Sequence, residues 1–366
     1  MKMHGDVAGR LGPCAVLAAT VVCGVSPLVQ PAAASGTGVV LAANSCAVLP
    51  PSFGYSEFAT GNVTEAHGDS DGPTAFGGTS QLSNFAISEN ATLLPASNVG
   101  FVAGGPVTGN NTTSVHLGNA YADANVTGVS YQAGVLNSVS QANLPVDFAP
   151  TAAGDATLSS ELAGLPTSPG DTVNTASSTL TLAATQSETD HQYVWTLSPG
   201  ELASITSVKV TGVPAGGNVV VNIPDTGALA LTVSNITLDG VSAAPSTGPA
   251  PALADSTIFN FPGATSLGLT GGWAGTLFAP GVAVTFSSGH LWGAVIAGSL
   301  SGTNESTYGP LDASLCLDLP GPAPALAEGH PLYFAGGGAA ILGTGFVVGL
   351  RRRSRRLGAP GVRPAR

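Results

Sequence analysis

Two aspartates in a short glycine-bounded run come closest to a metal-binding pattern. Asp69 and Asp71 belong to the run Gly68 to Gly72, which directly follows His67. Carboxylate oxygens are ligands that Ca²⁺ prefers, but a complete calcium-binding loop needs further ligands at fixed positions that this run lacks. The run therefore predicts a polar turn, with a weak calcium site as the alternative. No other metal or cofactor is expected.

Residues that could perform acid–base or nucleophilic catalysis are scarce. Lys209 is the one Lys or Arg between residues 11 and 350, and the sequence contains no HExxH or phosphate-loop motif. Asp147 directly precedes a predicted helix, where a carboxylate usually caps the helix or forms a turn. We therefore expect a protein that is not an enzyme. A polysaccharide-acting β-helix enzyme is the alternative from another class.

Three ring-bearing residues alternate along one predicted strand. His191, Tyr193 and Trp195 stand at positions i, i+2 and i+4, so one face of a strand would carry all three. A row of this kind can bind a sugar, but aromatic side chains more often pack in a core or between sheets. We expect the packing role.

Two of the four cysteines are left once a predicted export signal is removed. These are Cys46 and Cys316, which bracket the whole predicted domain. An exported chain meets an oxidising environment, so we expect a disulfide that joins the two ends of the domain. Two separate buried thiols are the alternative, since no CxxC spacing supports a redox or metal role.

Charge is low and unevenly distributed along the chain. Only 8% of the residues are charged, compared with about 25% in ordinary globular proteins. Between residues 11 and 350 the chain has one Lys and 20 acidic residues, a formal charge of −19. Phosphate binding needs clustered cations, so nucleic acid is not expected as a partner. An acidic surface is typical of a soluble secreted protein, with a cation-dependent contact as the alternative.

The stretch from residue 258 to 301 alternates short apolar runs with Gly, Pro and Ser. Glycines and aromatic residues return at intervals of roughly 15 to 20 residues, which is typical of stacked coils of short strands. Similar punctuation covers residues 53–130, and alternating patterns predict further strands in residues 172–240. We therefore predict an all-β fold, a β-solenoid with polar, uncharged faces. The runs in the first stretch predict three strands, Gly275–Ala279, Val282–Phe286 and Leu291–Ala297.

The same stretch carries a family resemblance. It contains IFNFPGATSL followed by WAGTLFAPGVAVTFSSGHLWGAVIAG, which resembles the end of the choice-of-anchor A domain, an adhesive domain of bacterial surface proteins. Further matches begin at Phe76, Phe101, Leu144 and Asn218, so the resemblance spans residues 50 to 302. The motif positions in this sequence are Asn260, Phe261, Pro262, Gly275, Ala279, Pro280 and Gly293.

This resemblance implies a β-solenoid with one helix packed along it and a role in adhesion. The motif residues are expected to be structural, and no particular ligand follows from them. Some relatives are labelled collagen-binding. The same ending is also similar to ice-binding β-solenoids. The resemblance therefore supports the fold better than it supports any particular ligand.

One helix is predicted in the middle of the chain, after Leu144. Apolar residues follow at a spacing of three to four, and either Thr151 or Asp155 is a candidate for the helix cap. Gly164 and Pro166 are expected to end the helix. The residues predicted to share its apolar face are Ala156, Leu158, Leu162 and Leu165.

Both ends of the chain have patterns typical of segments outside a folded domain. The beginning reads as an export signal, with basic residues, an apolar stretch and a small-residue cleavage site. Near the other end, 20 uncharged residues suffice to cross a membrane, and a basic tail that begins at Arg351, Arg352 and Arg353 would stay in the cytoplasm. Leu326 to His330 resembles a sortase signal but lacks its Thr, which favours a membrane anchor over cell-wall linkage. The predicted organisation is a signal peptide at 1–34, an N-terminal segment at 35–49, a choice-of-anchor A-like domain at 50–318, a Pro/Ala linker at 319–330, a transmembrane segment at 331–350 and a basic tail at 351–366.

Together these features predict a protein on the surface of a high-GC Gram-positive bacterium. We expect an exported adhesive domain that binds an extracellular matrix or cell-surface protein or glycan through a flat polar face. A structural coat protein and an ice-binding protein are the alternatives that are not enzymes. Ice binding would require regular Thr-rich rows, and the sequence shows only scattered runs such as Ser178 to Thr181.

Overall fold

The computed structural model describes residues 46–185, 188, 191–242, 253–303, 305–307 and 317–319. Within them the chain forms 24 strands and one α-helix, so the prediction of mostly β-structure with one helix is confirmed. The helix, α1, spans Phe148–Ala163. The strands before it are β1 (Glu57–Ala59), β2 (Val63–Ser70), β3 (Thr74–Phe76), β4 (Ser80–Ile87), β5 (Val99–Ala103), β6 (Val107–Val115), β7 (Asn119–Ala122), β8 (Val126–Tyr131) and β9 (Leu136–Ser138). The strands after it are β10 (Thr172–Ala176), β11 (Thr179–Ala183), β12 (Gln192–Thr196), β13 (Ser207–Thr211), β14 (Asn218–Asn222), β15 (Gly227–Thr232), β16 (Asn235–Leu238), β17 (Val241–Ser242), β18 (Thr257–Asn260), β19 (Ala264–Thr270), β20 (Trp273–Ala274), β21 (Thr276–Ser288), β22 (His290–Trp292), β23 (Val295–Gly302) and β24 (Glu305–Ser306).

Most strands pair in parallel with a strand one turn of the chain away. Glu57 in β1 pairs with Thr74 in β3, and Thr74 pairs with Phe101 in β5. Parallel neighbours need a crossover connection, and here the rest of each turn supplies it. Successive coils of the chain therefore stack on one another. Among the described strands, only β10 with β11 and β16 with β17 are antiparallel pairs.

The first stack of strands is covered by the helix. Its spatial order is β12, β14, β18, the start of β21, the start of β23, β1, β3, β5, β7 and β9. Phe58, Phe278 and Ile296 from this stack form one buried cluster with Leu158 and Leu162 of α1. Burial of one such Leu contributes roughly 1.5–3 kcal/mol. We call this the helix-covered face.

The second and third stacks are formed by the remaining parts of the same coils. The second contains β15, β19, the end of β21, the end of β23 and the starts of β2, β4, β6 and β8. The third contains β20, β22, β24 and the ends of β2, β4, β6 and β8. Inward side chains such as Phe76, Phe85 and Trp195 are fully buried between the stacks and fill the core. A separate five-stranded sheet contains β10, β11, β13, β16 and β17.

The first and last coils of the domain are neighbours. β1 pairs with β23 on one side and with β3 on the other. The chain therefore leaves the stack after β9, continues through α1 and re-enters the same stack at its opposite end with β12. The two ends of the described domain also meet, because the Ala47 N–H donates to the Leu317 carbonyl at 3.1 Å.

The helix begins earlier than its predicted caps. It starts at Phe148 with Asp147 at the N-cap position, and the Asp147 side chain makes no capping hydrogen bond. Thr151 and Asp155 are inside the helix and buried, so neither is its cap. The predicted end is confirmed, with Gly164 at the C-cap.

The apolar face of the helix is rotated from the predicted one. Ala156 is exposed, whereas Leu158, Leu162 and Leu165 are buried as predicted. Asp155 is buried in place of Ala156, because it lies three residues before Leu158 and therefore on the same side of the helix. A polar residue thus occupies a position where periodicity alone would place an apolar one.

Three predictions need correction. The run Leu291–Ala297 is not one strand, because β22 ends at Trp292 and β23 begins at Val295. The runs Gly275–Ala279 and Val282–Phe286 belong to one strand, β21, which bends where its register with β23 shifts between Ala279 and Ala283. Asp69, predicted in a turn, lies in β2, and only Asp71 and Gly72 form the bend that follows. The bend arises where β2 ends, one residue before Asp71, so the turn is shorter than the glycine-bounded run suggested.

No helix among the described residues is long and apolar enough to cross a membrane. The predicted transmembrane segment at 331–350 lies outside the described residues, as do the predicted signal peptide at 1–34 and the linker at 319–330 except for residue 319.

Candidate ligand-binding face

A row of uncharged residues, five of which carry hydroxyl groups, crosses the outer surface of the second stack. Strand register aligns one outward residue from each of eight adjacent strands. Adjacent strands are separated by about 4.8 Å, so the row is about 34 Å long. We call this surface the hydroxyl face. In spatial order its row consists of Ala230, Gly268, Thr285, Ser301, Thr64, Gln81, Thr108 and Thr127.

Alternation along each strand fixes the direction of these side chains. Thr64 is exposed while its neighbour Val63 is buried, and Thr285 is exposed between buried Val284 and Phe286. Since successive side chains of a strand point to opposite faces, burial of the apolar set holds the polar set toward solvent. The hydroxyl face is thus positioned by the core beneath it.

The hydroxyl face carries no ionisable side chain that points outward. In the parts of the strands that form this face, the one acidic residue is Glu65, which is 1% exposed and points inward. A hydroxyl group can donate one hydrogen bond and accept others, and the Thr285 and Ser301 hydroxyls lie 2.9 Å apart. A surface of this kind can make many weak, evenly spaced hydrogen bonds to an extended ligand, but it has no group suited to bond cleavage.

The third stack presents a different chemistry. Strand register aligns His290 of β22, Glu305 of β24 and Asp69 of β2 on neighbouring strands. The His290 Nδ1 lies 3.3 Å from a Glu305 carboxylate oxygen. Asp71 and Glu89 lie close enough to act electrostatically on Asp69. We call this surface the acidic face.

Burial and neighbouring negative charges raise the pKa of two carboxyl groups on the acidic face. Burial, together with the charges of Glu305, Glu89 and Asp71, raises the pKa of Asp69 from 3.8 to about 7. Burial, with Glu89 and Glu305, raises the pKa of Asp71 to about 6. The two residues singled out from the sequence thus share one cluster, and its charge changes around neutral pH.

The predicted weak calcium site at Asp69 and Asp71 stays a hypothesis. A shallow depression of about 230 Å³ beside it is lined by residues that include His67, Asp69 and Glu305. Among the described residues, no group of three or more His, Cys, Asp or Glu side chains is arranged to hold a metal ion.

The motif residue Asn260 joins three parts of the fold. Its side-chain oxygen accepts a hydrogen bond from the Ser159 hydroxyl of α1 at 2.6 Å, and its amide donates to the Ser159 carbonyl at 2.9 Å. The amide also donates to the Asn222 side chain at 2.9 Å, and Asn222 donates to the Leu162 carbonyl at 2.7 Å. All of these groups are buried. Asn260 therefore attaches the helix to β14 and β18 and faces no ligand.

The other motif residues also have structural positions. Phe261 is buried, with its ring 6.4 Å from that of Trp273, while Pro262 is exposed.

Two glycines of the motif lie where a side chain would not fit. Gly293 has a φ of 151°, and a Cβ atom there would collide with the Gly275 carbonyl of the adjacent coil. Gly275 itself has a φ of 96°, so both positions favour glycine. Ala279 is buried in the core, and Pro280 lies at the bend of β21.

The remaining candidates from the sequence are separated in the fold. Tyr193 and Trp195 are fully buried and stack with ring centres 6.4 Å apart, while His191 is exposed and precedes the strand. The packing role is therefore confirmed for the two aromatic residues. Lys209 lies exposed on β13, paired in register with Thr181 of β11 and Thr237 of β16.

The structure describes only one of the two cysteines of the predicted disulfide. Cys46 is disulfide-bonded. Cys316 lies outside the described residues, but the neighbouring residues Ala47 and Leu317 are joined by a backbone hydrogen bond. The pairing of Cys46 with Cys316 stays a prediction. Arg351, Arg352 and Arg353 also lie outside the described residues.

Two buried glutamates were not identified from the sequence. Burial and the nearby Glu57 raise the pKa of Glu65 well above its ordinary value. Neither carboxyl oxygen of Glu65 has a hydrogen-bond partner among the described residues, whereas Glu57 accepts a hydrogen bond from the Ser306 hydroxyl at 2.7 Å. One signal was available: Glu65 stands two residues after Val63, at a strand position that alternation assigns to the core.

Comparison with known proteins gives one family match. Residues 49–308 match the family described as "Putative Ice-binding-like adhesive domain". The chain belongs to this ice-binding-like adhesive domain family. The expected adhesive and ice-binding-like character is thus confirmed at the level of the family, whereas membership of the choice-of-anchor A family is not.

Two solved structures are also similar to this member of the ice-binding-like adhesive family. An ice-binding protein from the Antarctic ascomycete Antarctomyces psychrotrophicus aligns over 71% of this chain and 97% of its own, with 14% identity and a TM-score of 0.36. An ice-binding protein from an Antarctic biological consortium aligns over 72% of this chain and 90% of its own, with 11% identity and a TM-score of 0.29. No curated protein matches the chain.

Proposed function

We propose that the stacked coils form a β-solenoid that adheres to an extended ligand through the hydroxyl face. The observation that carries this proposal is the eight-strand row from Ala230 to Thr127, which is in continuous register and uncharged, with six residues exposed and two, Gly268 and Ser301, half-buried. Single hydroxyl contacts are weak, so useful affinity requires many of them at matched spacing. The ligand class that fits is a repetitive polar surface, such as a glycan or a fibrous matrix protein.

The other two faces are less suited to this role. The helix-covered face is occupied by α1, and the acidic face would repel the anionic polymers that are common outside cells. A function in catalysis has less support than adhesion, because the carboxyl groups of the acidic face border a shallow depression and not a substrate groove. We therefore propose a protein that is not an enzyme and needs no cofactor.

We further propose a place for the domain outside the cell of a high-GC Gram-positive bacterium. The export signal at 1–34 and the uncharged segment at 331–350 support a single-pass membrane anchor with a cytoplasmic C-terminus. Covalent attachment by a sortase is the alternative for the same C-terminal region. The resemblance of residues 50–302 to the choice-of-anchor A domain supports the same location.

Ice binding is a second candidate because of the regularity of the row. The sequence had shown only scattered Thr runs, but register places Thr285, Thr64, Thr108 and Thr127 in one line on separate strands. The family description also links this fold to ice binding. Ice binding and adhesion to polymers would use the same face, so one set of variants tests both.

The test compares binding by the wild type and by two bulky variants. Thr64→Tyr and Thr285→Tyr interrupt the row at its centre, and Thr172→Tyr adds the same ring at an exposed position of β10. We expect saturable binding of the wild type to one class in a panel of matrix proteins, cell-wall glycans and whole cells. Loss of one anchoring contact costs about 1.4 kcal/mol or more, so each row variant should weaken binding about tenfold.

The control should bind like the wild type. Thermal hysteresis and ice-shaping assays on the same proteins decide between polymers and ice. Equal binding by Thr64→Tyr and Thr172→Tyr would show that another face is responsible, and absence of binding throughout the panel would favour a structural coat.

A further inference from the structure

We propose that two copies of this chain associate end to end through the coil formed by β8 and β9. This coil is the last one at its end of the stack. Among the described strands, β9 pairs only with β7 and β8 only with β6. The outer backbone edges of both strands therefore have donors and acceptors available for another strand.

The hydrophobic core is also uncovered at this end. No residue from 125 to 143 is fully buried. Val126, Val129 and Tyr131 pack against the core from one side and are only partly buried. Val135 is 58% exposed and Leu136 is 36% exposed, and they are two of the three large apolar residues that the described part of the chain exposes.

The opposite end of the same stack is closed. The Ser168 N–H donates to the Val194 carbonyl of β12 at 2.9 Å, and the Val194 N–H donates to the Ser168 hydroxyl at 2.9 Å. The Thr196 N–H donates to the Thr167 hydroxyl at 3.2 Å. Tyr193 and Trp195 beneath this edge are fully buried. The difference between the two ends indicates that the β8–β9 end is left open for a partner.

Charge identifies the partner as a second copy of the chain. The segment from residue 124 to 143 contains no Asp, Glu, Lys, Arg or His, although the chain has 21 acidic residues. Two copies that meet through this segment place no like charges against each other at the contact, although both are acidic. An edge strand paired in antiparallel fashion with its own copy is self-complementary, so a two-fold axis satisfies both edges at once. The interface would leave both hydroxyl faces accessible and would double the number of ligand contacts.

The experiment measures the mass of the full chain in detergent micelles, which accommodate the proposed anchor, by sedimentation velocity and light scattering over a wide concentration range. The disruptive variant is Leu136→Lys, which places a charge on β9 and two like charges across the two-fold axis. The matched control is Thr196→Lys, an exposed position on β12 at the closed end. We expect the wild type and the control to dimerise and Leu136→Lys to dimerise at least about tenfold more weakly.

A second measurement separates disruption of the interface from loss of the fold. Amide hydrogen exchange of the wild type should be slow across residues 126–138 at high concentration and should become faster on dilution. A wild type that is monomeric at all concentrations would overturn the proposal. So would a dimer unaffected by Leu136→Lys, or edge amides that stay protected in the monomer because another segment of the chain covers them.

Discussion

Asp155 should make the stability of this domain fall as the pH rises. The residue is 1% exposed in α1, and the Ser52 hydroxyl donates to one of its carboxyl oxygens at 2.5 Å. The other oxygen has no partner among the described residues. Burial raises the pKa of Asp155 from 3.8 to about 7, and the Ser52 hydrogen bond acts in the opposite direction. The folded state therefore binds a proton that the unfolded state releases.

The size and sign of the effect follow from proton linkage. A carboxyl group whose folded pKa lies above its unfolded pKa is destabilising once the pH exceeds the unfolded value, and the loss is complete above the folded value. The rise from 3.8 to about 7 corresponds to about 4 kcal/mol of unfolding free energy at 1.36 kcal/mol for each pH unit. Between about pH 5 and pH 8 the expected loss is roughly 2–3 kcal/mol.

Asp155→Asn removes this dependence and keeps the shape of the side chain. The amide oxygen can still accept from Ser52, and no charge is buried at high pH. Urea unfolding followed by tryptophan fluorescence at several pH values measures the difference between variant and wild type. We expect Asp155→Asn to gain roughly 2–3 kcal/mol on the wild type between about pH 5 and pH 8. Ala156→Asn, at an exposed position of α1, removes no ionisable group, so this control should differ from the wild type by the same amount at every pH. A constant difference for Asp155→Asn would refute the argument.

Three further predictions, with substitutions at Glu65, at Asn260 and at the two cysteines, test the core and the closure of the domain. Glu65→Gln should stabilise the protein at high pH and have little effect at low pH, because burial and Glu57 raise the pKa of Glu65; a melting-temperature series against pH measures this. Asn260→Ala should cost about 2–4 kcal/mol, since it removes the buried hydrogen bonds to Ser159 of α1 and to Asn222 of β14; chemical denaturation measures it, and an unchanged midpoint would contradict it. Cys46→Ser, Cys316→Ser and the double variant should lower the melting temperature equally, because each removes the same bond; unequal shifts would show that the two cysteines are not partners.

The sequence was most informative where local chemistry decides the structure. Alternating apolar runs predicted the strands, and the leucines after Leu144 predicted the helix, because strand and helix periodicities differ. Gly164 marked the end of the helix for the same local reason. The join between Ala279 and Ala283 was missed, since Pro280 and Gly281 also occur in turns and here only bend a continuous strand.

The hydroxyl face could not be predicted from local sequence patterns. Its row combines Thr64 and Thr127 with Thr285 and Ser301, which are more than 150 residues away in the chain. They become neighbours because β23 pairs with β2 and so brings the last coil beside the first. No sequence window contains this pairing, and a single-residue change of register would turn every hydroxyl toward the core. The row therefore depends on long-range register and not on any motif.

The hydroxyl face and the acidic face should differ in how their ligand binding responds to pH and salt. Protonation changes the acidic face near neutral pH, because burial and the neighbouring carboxylates raise the pKa values of Asp69 and Asp71 to about 7 and about 6. The hydroxyl face has no outward ionisable group, so its own chemistry is the same across this range. A ligand held by the hydroxyl face should therefore bind with little dependence on pH or salt, whereas a ligand held by the acidic face would depend on both. Glu65 is buried beneath the hydroxyl face, so its carboxyl group does not contact a ligand there. Ligand binding by the hydroxyl face should therefore stay independent of the acidic groups of the domain.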